Sequence, residues 1–376
     1  LMGNDNTLLQ QKLTSIVAGE AVDVPLEYIL NDIDTGDSNI SVQADYFRPF
    51  GTGRLELGVR SWRRTQDNEN ELFNMGGSRT PAGPADVHSG YDYEETVNSA
   101  YTTLSRTVGR FGAQAGLRLE HTSTLFESRV ADASFERSYA SLFPSFNVSY
   151  TPKPGRTVRL LFSRRIGRPS AFYLDPFVPT TDPLNVSLGN PDLKPTHTNS
   201  FSADLSYTGG HGTVRVAPYY RRTSDVWERI RTVDADGVAT NRWLNGRQSA
   251  SVGSSLTLSL RPMGRLSGST NFNVWRESRD GTNIAPDLQR SAVLWSVGGN
   301  LGLKVTETLT AQLFASQMPP QSILQGRATG YTFSSVALRQ QVWGTKGSIS
   351  LNLQDPLNLS NFNSSSSHAT YTQTSR

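Results

Sequence analysis

The amino-acid sequence predicts an all-β protein whose strands form an antiparallel transmembrane β-barrel. The clearest run, residues 110–120, has one apolar and one polar face, because side chains in a strand point alternately to its two sides. Its apolar face consists of Phe111, Ala113, Ala115, Leu117 and Leu119. Tilted strands that cross a bilayer need about 9–11 residues, whereas strands of soluble proteins most often have about five or six. Tight turns alternate with long loops between such runs, and this asymmetry is typical of transmembrane barrels.

The tight turns divide the chain into about seven hairpins, or about 14 strands of a larger barrel. Alternating apolar residues flank each of these turns, which lie at residues 49–53, 107–109, 151–155, 208–212, 261–264, 306–308 and 344–347. We expect the turns to be periplasmic and the longer segments, roughly 65–89 and 167–196, to be extracellular loops. Pro144 and Pro218 lie inside predicted strands, where each removes a ladder hydrogen bond, so we expect a bulge or a position near the rim.

Composition and motifs exclude several other classes. No run of 18 apolar residues is present, which excludes a conventional transmembrane helix. The net charge of +3 over 376 residues is small and carries no nucleic-acid signal. The nucleophile elbow, the zinc-protease motif and the phosphate-binding loop are all missing, so we expect no enzyme, no catalytic residue and no cofactor.

Metal sites are not expected either. The five histidines are dispersed without the spacing of metal ligands. Asp67, Glu69 and Glu71 have the alternating spacing of a calcium loop, but the glycine at the sixth position and the glutamate at the twelfth are missing.

The two ends of the sequence suggest an internal piece of a longer protein. Residues 1–16 lack the basic and apolar regions of a signal peptide, and residues 364–376 are polar, without a closing apolar strand. We therefore predict a linker or incomplete strand over residues 1–37. Residues 38–376 are predicted to be a barrel fragment that lacks a plug and a final strand.

Three short segments carry a family resemblance over roughly residues 38–362. They are Ser-Arg-Arg-Ile-Gly-Arg-Pro-Ser at 163–170, Leu-Asp-Pro-Phe at 174–177 and Gly-Asn-Pro-Asp-Leu-Lys-Pro at 189–195. The chain resembles the barrel of TonB-dependent outer-membrane receptors, specifically the outer membrane protein beta-barrel family of Bacteroidetes-type bacteria. Two positions depart from that family: Asp175 stands where Asn is frequent, and Thr196 where Glu is usual.

The resemblance implies active uptake of a nutrient across the outer membrane of a Gram-negative bacterium. The nutrient would be a siderophore, cobalamin, a glycan or a peptide. Implied partners are outer-membrane lipid, a plug domain, the TonB energy-coupling complex and, as an open option, a surface lipoprotein; nucleic acid is not among them. Two alternatives remain at this point: a passive or structural outer-membrane barrel such as a porin or adhesin, and a soluble glycan-binding β-protein.

Two sets of residues are candidate sites. In the family, the loop with Gly189, Asn190, Pro191, Asp192 and Lys194 is extracellular and could face a ligand, although the same residue types also build an ordinary turn. Four arginines lie on the predicted polar, lumen-facing side and could bind an anionic substrate or pair with a plug: Arg159, Arg165, Arg215 and Arg221. The alternative for the arginines is a solvated lining with ordinary charge pairs.

Overall fold

The structure is a computed structural model that describes most of the chain. The described residues are 2–11, 14–17, 20–23, 27–74, 85–129, 134–176, 184–263, 265–319, 321–328, 330–344, 346–356, 358–359, 364–368 and 371–375.

Strands make up nearly all of the described structure. Their bounds are β1 (Met2–Gln11), β2 (Thr14–Val17), β3 (Glu20–Asp23), β4 (Glu27–Phe50), β5 (Gly53–Asn74), β6 (Val87–Val108), β7 (Phe111–Ser128), β8 (Ser134–Lys153), β9 (Arg156–Gly167), β10 (Asn185–Leu188), β11 (Thr196–Gly209), β12 (Gly212–Val233), β13 (Ala239–Met263), β14 (Leu266–Asp280), β15 (Gln289–Lys304), β16 (Leu309–Gln317), β17 (Gln321–Ile323), β18 (Gly326–Ala328), β19 (Thr332–Val342), β20 (Gly347–Gln354), β21 (Ser364–His368) and β22 (Tyr371–Ser375). A short helix, α1 (Ala171–Leu174), lies between β9 and β10. No helix of the described residues is long and apolar enough to cross a bilayer.

One large antiparallel sheet confirms the predicted fold class. Its 15 strands follow the order β1-β4-β5-β6-β7-β8-β9-β11-β12-β13-β14-β15-β16-β19-β20, and β10 adds a short parallel pairing to β13. Neighbours in the chain are neighbours in the sheet because tight hairpins join them. Two small sheets, β17-β18-β21-β22 and β2-β3, accompany it.

All seven predicted tight turns join neighbouring strands at one end of this sheet. Gly51 and Gly109 occupy two of them with φ of +54° and +58°, a left-handed conformation that costs glycine little. The opposite end carries the longer connections. The loop expected at 65–89 is shorter than predicted, because β5 continues to Asn74 and β6 begins at Val87. Strand pairing needs only backbone hydrogen bonds, so the strands extend beyond the point where their outward side chains become polar.

The two strand prolines lie where pairing is interrupted. The β8–β9 ladder reaches Ser145, next to Pro144. In the β11–β12 ladder, Ser202 pairs with Tyr219 and Leu205 with Val216, while the residues between them, including Pro218, are unpaired. The strand register is the same before and after this gap, so no bulge is present. The sheet tolerates Pro218 because the hydrogen bonds that proline cannot form are left out of this ladder.

The outward face of the strands carries an apolar belt. Leu117 and Leu119 on β7 are 45% and 52% exposed. A row of side chains continues the belt across neighbouring strands, since Phe146 pairs with Phe162, Phe162 with Phe201 and Phe201 with Tyr220. Exposed apolar area this extensive is unfavourable in water and suits contact with lipid.

The belt covers only the tight-turn half of the longer strands. On β6 the outward face carries Ala100, Leu104 and Val108 toward the tight turn, whereas the outward residues toward the long-loop end are polar: Asp92, Glu94, Thr96 and Asn98. Residues 87–98 of β6 therefore lie beyond the membrane-spanning part of the strand.

Residues before the predicted boundary at 37/38 also belong to the large sheet. β1 pairs with the first part of β4, from Met2 opposite Gly36 to Gln11 opposite Glu27. β4 itself runs through the boundary without interruption. The division of the chain at residue 37 stays a prediction.

The described residues between β9 and β11, which are 168–176 and 184–195, turn inward at the long-loop end. Ala171 and Leu174 of α1, together with Leu193, form a buried core with Tyr91, Tyr93 and Phe126. These three aromatic residues lie on the inner face of β6 and β7, so the segment covers the inner wall at this end.

Candidate functional site

A cavity of about 450 Å³ lies against the inner face of β4 to β9. Its lining includes Gln43, Arg60, Trp62, Tyr101, Arg118 and Arg165. Strand alternation turns these side chains inward, and the register brings them together: Arg60 pairs with Gln43, and Tyr101 pairs with Arg118. Each pair joins two consecutive strands, and the sheet brings the side chains of β4 to β9 into one wall.

A glycine makes room for the aromatic part of the cavity wall. Gly58 pairs with Tyr101, and a Cβ atom at Gly58 would lie only 2.3 Å from the Tyr101 ring. Any larger residue at position 58 would displace the ring. The Tyr101 hydroxyl donates to Asp45 and accepts a hydrogen bond of 3.0 Å from Gln43 Nε2.

The cavity has an excess of positive charge. Arg118 Nε lies 2.8 Å from Glu120 Oε1, so that guanidinium is paired. Arg60 and Arg165 are exposed and form no ion pair with any described residue. Two unpaired guanidinium groups beside Trp62 and Tyr101 are suited to a planar anionic ligand, because a guanidinium binds carboxylates bidentately and aromatic rings supply stacking area.

Of the four arginines predicted from the sequence, only Arg165 lines this cavity. Arg159, Arg215 and Arg221 share the inner face but lie elsewhere along β9 and β12. Arg215 Nη2 lies 2.5 Å from the buried carboxylate of Asp204, which makes it a structural partner of that carboxylate. Anion binding by the four arginines stays a prediction.

The predicted ligand loop is held in place by its own backbone and by Asn190. The Gly189 amide donates to the Asp175 carbonyl at 2.8 Å, and a Cβ atom at Gly189 would lie 2.2 Å from the same oxygen. The buried Asn190 side chain donates from Nδ2 to the Trp243 carbonyl at 2.9 Å and accepts from the Asp192 amide at 2.9 Å. This part of the loop therefore forms the tight turn that the residue types also predicted.

The end of the loop is fixed in the same manner. The Lys194 carbonyl accepts hydrogen bonds from Trp227 Nε1 at 2.8 Å and from Asn245 Nδ2 at 3.1 Å. The side chains of Asp192 and Lys194 remain exposed, and Pro191 is half-buried. A ligand could reach only those exposed side chains, and ligand binding by the loop stays a prediction.

A buried charge cluster connects the loop to the cavity. Arg168, at the start of the loop, donates from Nη2 to Glu120 Oε2 at 2.5 Å and to Thr122 Oγ1 at 3.0 Å, and its Nε lies 3.5 Å from Glu95. Burial raises the pKa of the Glu95 carboxyl, and Arg168 opposes this effect. Since Glu120 also pairs with Arg118, one carboxylate links the anchored loop to the cavity wall.

Among the residues of this arrangement that were not predicted as sites from the sequence are three charged residues of the inner wall. Arg60, Arg118 and Glu120 all lie at inward positions of alternating strands, so alternation alone would have marked them as lumen-facing. Nothing in the sequence distinguishes them from the other inward polar residues, because only the strand register shows which of them meet.

The chain is similar to outer-membrane proteins in sequence and in structure. It matches the outer membrane protein beta-barrel family over residues 3–376. A search of curated proteins finds no match.

Three solved structures illustrate the similarity of fold. The ferric yersiniabactin uptake receptor FyuA from Yersinia pestis has a TM-score of 0.66 at 14% identity, covering 100% of this chain and 56% of that one. The copper transporter OprC has a TM-score of 0.65 at 13% identity, covering 95% of this chain and 56% of that one. The ferric-catecholate import receptor Fiu from E. coli K12 has a TM-score of 0.58 at 12% identity, covering 88% of this chain and 51% of that one. The chain thus spans about half the length of these structures, and the similarity is one of fold.

Proposed function

Because the chain belongs to the outer membrane protein beta-barrel family and lies in the outer membrane, we propose that it is part of a TonB-dependent receptor for active uptake of an anionic nutrient complex. The apolar belt supplies the contact with lipid, and the inner wall supplies the binding surface. The resemblance of segments 163–170 and 189–195 to such receptors supports a plug domain and the TonB complex as partners. A surface lipoprotein remains a further expectation of that resemblance.

The observation that carries the proposal is the cationic cavity. Arg60 and Arg165 form no ion pair with an acidic residue in the described part of the chain, while Trp62 and Tyr101 add aromatic surface beside them. Among siderophore, cobalamin, glycan and peptide, a siderophore chelate with carboxylate or catecholate groups fits this charge best, since each such group accepts hydrogen bonds from a guanidinium. The wall would contribute binding and orientation, without covalent chemistry.

The test is uptake by the complete protein that contains this chain. A Gram-negative host lacking its own siderophore receptors, with and without TonB, is supplied with radiolabelled ferric siderophores bearing carboxylate or catecholate groups. Accumulation that requires TonB is expected. Arg60→Gln and Arg165→Gln should each weaken binding roughly tenfold, since hydrogen bonds to charged groups contribute about 1.5–3 kcal/mol.

Arg339→Gln is the matched control, because Arg339 on β19 is also inward and exposed, forms no ion pair with any described residue, and lies outside the cavity lining. It should leave binding unchanged. Accumulation that is independent of TonB, or steady conductance of the protein in a planar bilayer, would identify a passive barrel instead. Equal loss in all three variants would show that the cavity has no special role.

A further inference from the structure

We propose that Glu69, Glu71 and His88 form a binding site for a divalent transition metal of the zinc class. The site lies on the outward face of β5 and β6, at the long-loop end and beyond the apolar belt. It is separate from the cavity of the proposed function, which faces inward, and does not depend on that function.

The geometry brings three metal-binding groups together. One ligand atom from each of the three residues lies within 4.8 Å of the others. Glu71 and His88 are direct cross-strand partners, with His88 Nδ1 3.7 Å from Glu71 Oε1. Glu69 lies two residues along β5 on the same face, with its Oε1 3.8 Å from His88 Nε2. A small adjustment of these exposed side chains would place all three on one ion.

Two paired strands make this arrangement reproducible. Glu69 and Glu71 share the side of β5 that carries Leu55, Leu57 and Val59 nearer the tight turn. Strand backbone positions side chains more rigidly than a loop does, and rigid placement lowers the entropy cost of assembling ligands. All three side chains are between 42% and 47% exposed, so an ion can reach them from solvent.

A second observation, at the neighbouring Asp32, also favours cation binding at this place. Asp32 on β4 pairs in register with Glu71, and its Oδ1 is buried without a hydrogen-bond partner among the described residues. Buried carboxylate oxygens without a partner are rare because they lose hydration without compensation. A cation held by the neighbouring Glu71 would supply that compensation.

The surrounding charge is strongly negative. Asp32, Asp34 and Asp67 share this outward face with the two glutamates. The nearest described cation is Arg129, which donates two hydrogen bonds of 2.9 and 2.6 Å to Asp92 and is only within 3.8 Å of Glu69. Arg129 thus pairs mainly with Asp92 and compensates Glu69 only weakly. The remaining excess of acidic side chains attracts a divalent ion.

The donor set selects the class of metal. Calcium and magnesium prefer oxygen ligands, whereas an imidazole with carboxylates suits zinc and neighbouring transition metals. Three protein ligands leave a fourth position for water. The sequence predicted no metal site because the segment around Glu69 and Glu71 lacks the glycine and the later glutamate of a calcium loop, and because His88 joins these residues only through strand pairing.

Titration of the complete protein that contains this chain, purified in detergent micelles and free of any polyhistidine tag, with zinc chloride tests the proposal. Calorimetry should give one strong site per chain. His88→Gln and Glu71→Gln should each weaken zinc binding roughly tenfold or more, as loss of support around a metal already costs 10–100-fold. Excess calcium should not displace the zinc. Heat-modifiable gel mobility, unchanged in every variant, confirms that folding is intact.

The matched controls are His121→Gln and Glu94→Gln, which alter outward groups paired with Ser138 and Arg63 respectively. Both should bind zinc as the unaltered chain does. Absence of a stoichiometric zinc site, displacement by calcium, or an equal effect of the control substitutions would each overturn the assignment.

Discussion

The buried cluster of Arg168, Glu95 and Glu120 shows how single residues hold the inward segment. The side chains of the two acids are less than 10% exposed, and that of Arg168 is 17% exposed, so each charge depends on its partners for compensation. Removal of one partner from a buried ion pair leaves the other charge uncompensated. The resulting loss of stability is larger than the net stability that the intact pair contributes. The cluster therefore governs whether residues 168–176 and 184–195 stay against the wall.

Arg168→Met should release this segment. The free energy for its local opening, measured by hydrogen exchange, should fall by about 3–5 kcal/mol, the usual cost of breaking a buried pair. Arg63→Met is the control, because the Arg63–Glu94 pair is exposed and such pairs contribute only about 0–1 kcal/mol. Equal effects of the two substitutions would contradict the assigned role.

The same variant should depend on pH in a defined direction. Burial raises the pKa of the Glu95 carboxyl above its ordinary value, and without Arg168 the main opposing effect is gone. The penalty for burying the charged form is present above that raised pKa and is lost as the pH falls through it. Hydrogen exchange of the segment in Arg168→Met should thus slow between neutral and mildly acidic pH, when exchange is corrected for its intrinsic pH dependence.

At the scale of elements, side-chain alternation gives one strand two environments. On β7 the outward Ala115 pairs with Phe146 and Leu104, while the adjacent Gln114 faces the lumen and pairs with Asn147 and Ser105. A shift of one residue would exchange these faces and bring Arg118 into lipid, so the register is strongly determined.

Ala115→Arg and Gln114→Arg place the same charge on opposite faces. Ala115 lies midway along the apolar face of β7, where an arginine should reduce the free energy of unfolding from lipid vesicles by about 2–4 kcal/mol. Gln114→Arg should change it little, since that side chain is exposed to the lumen. Denaturant titrations followed by tryptophan fluorescence give both values, and similar losses would contradict the assigned faces.

At the scale of the whole molecule, connections are sorted by length between the two ends of the sheet. The tight turns at one end include Gly210, which has open space around it. At the other end, the exposed 234–238 connection is shaped by Asp234, whose Oδ1 accepts hydrogen bonds from the amides of Asp236 and Val238. Barrels of this kind place the tight turns in the periplasm.

This orientation is testable because the chain contains no cysteine. In the complete protein, with any other cysteines removed, Asp236→Cys should react with a membrane-impermeant maleimide on intact cells. Gly210→Cys should react only after the outer membrane has been permeabilised. Labelling of Gly210→Cys on intact cells would reverse the orientation.

The amino-acid sequence alone was enough to predict the alternating strands of the large sheet, the tight turns and the family, although not every strand end. Alternation of apolar and polar residues follows directly from the contact with lipid on one side and with a polar interior on the other. The turns at Gly51 and Gly109 follow from the conformational freedom of glycine. Segments 163–170 and 189–195 were sufficient for the family, which the match over residues 3–376 confirms.

Which inward and outward residues meet became clear from the folded arrangement of the strands. Arg60, Arg118 and Arg165 lie on three strands, and His88 meets Glu69 and Glu71 across a strand pairing. The Asn190 turn is likewise bound to Trp243, 53 residues away. Such encounters depend on the strand register and on the inward path of a long segment, and neither leaves a local pattern in the chain because both arise from contacts between distant residues.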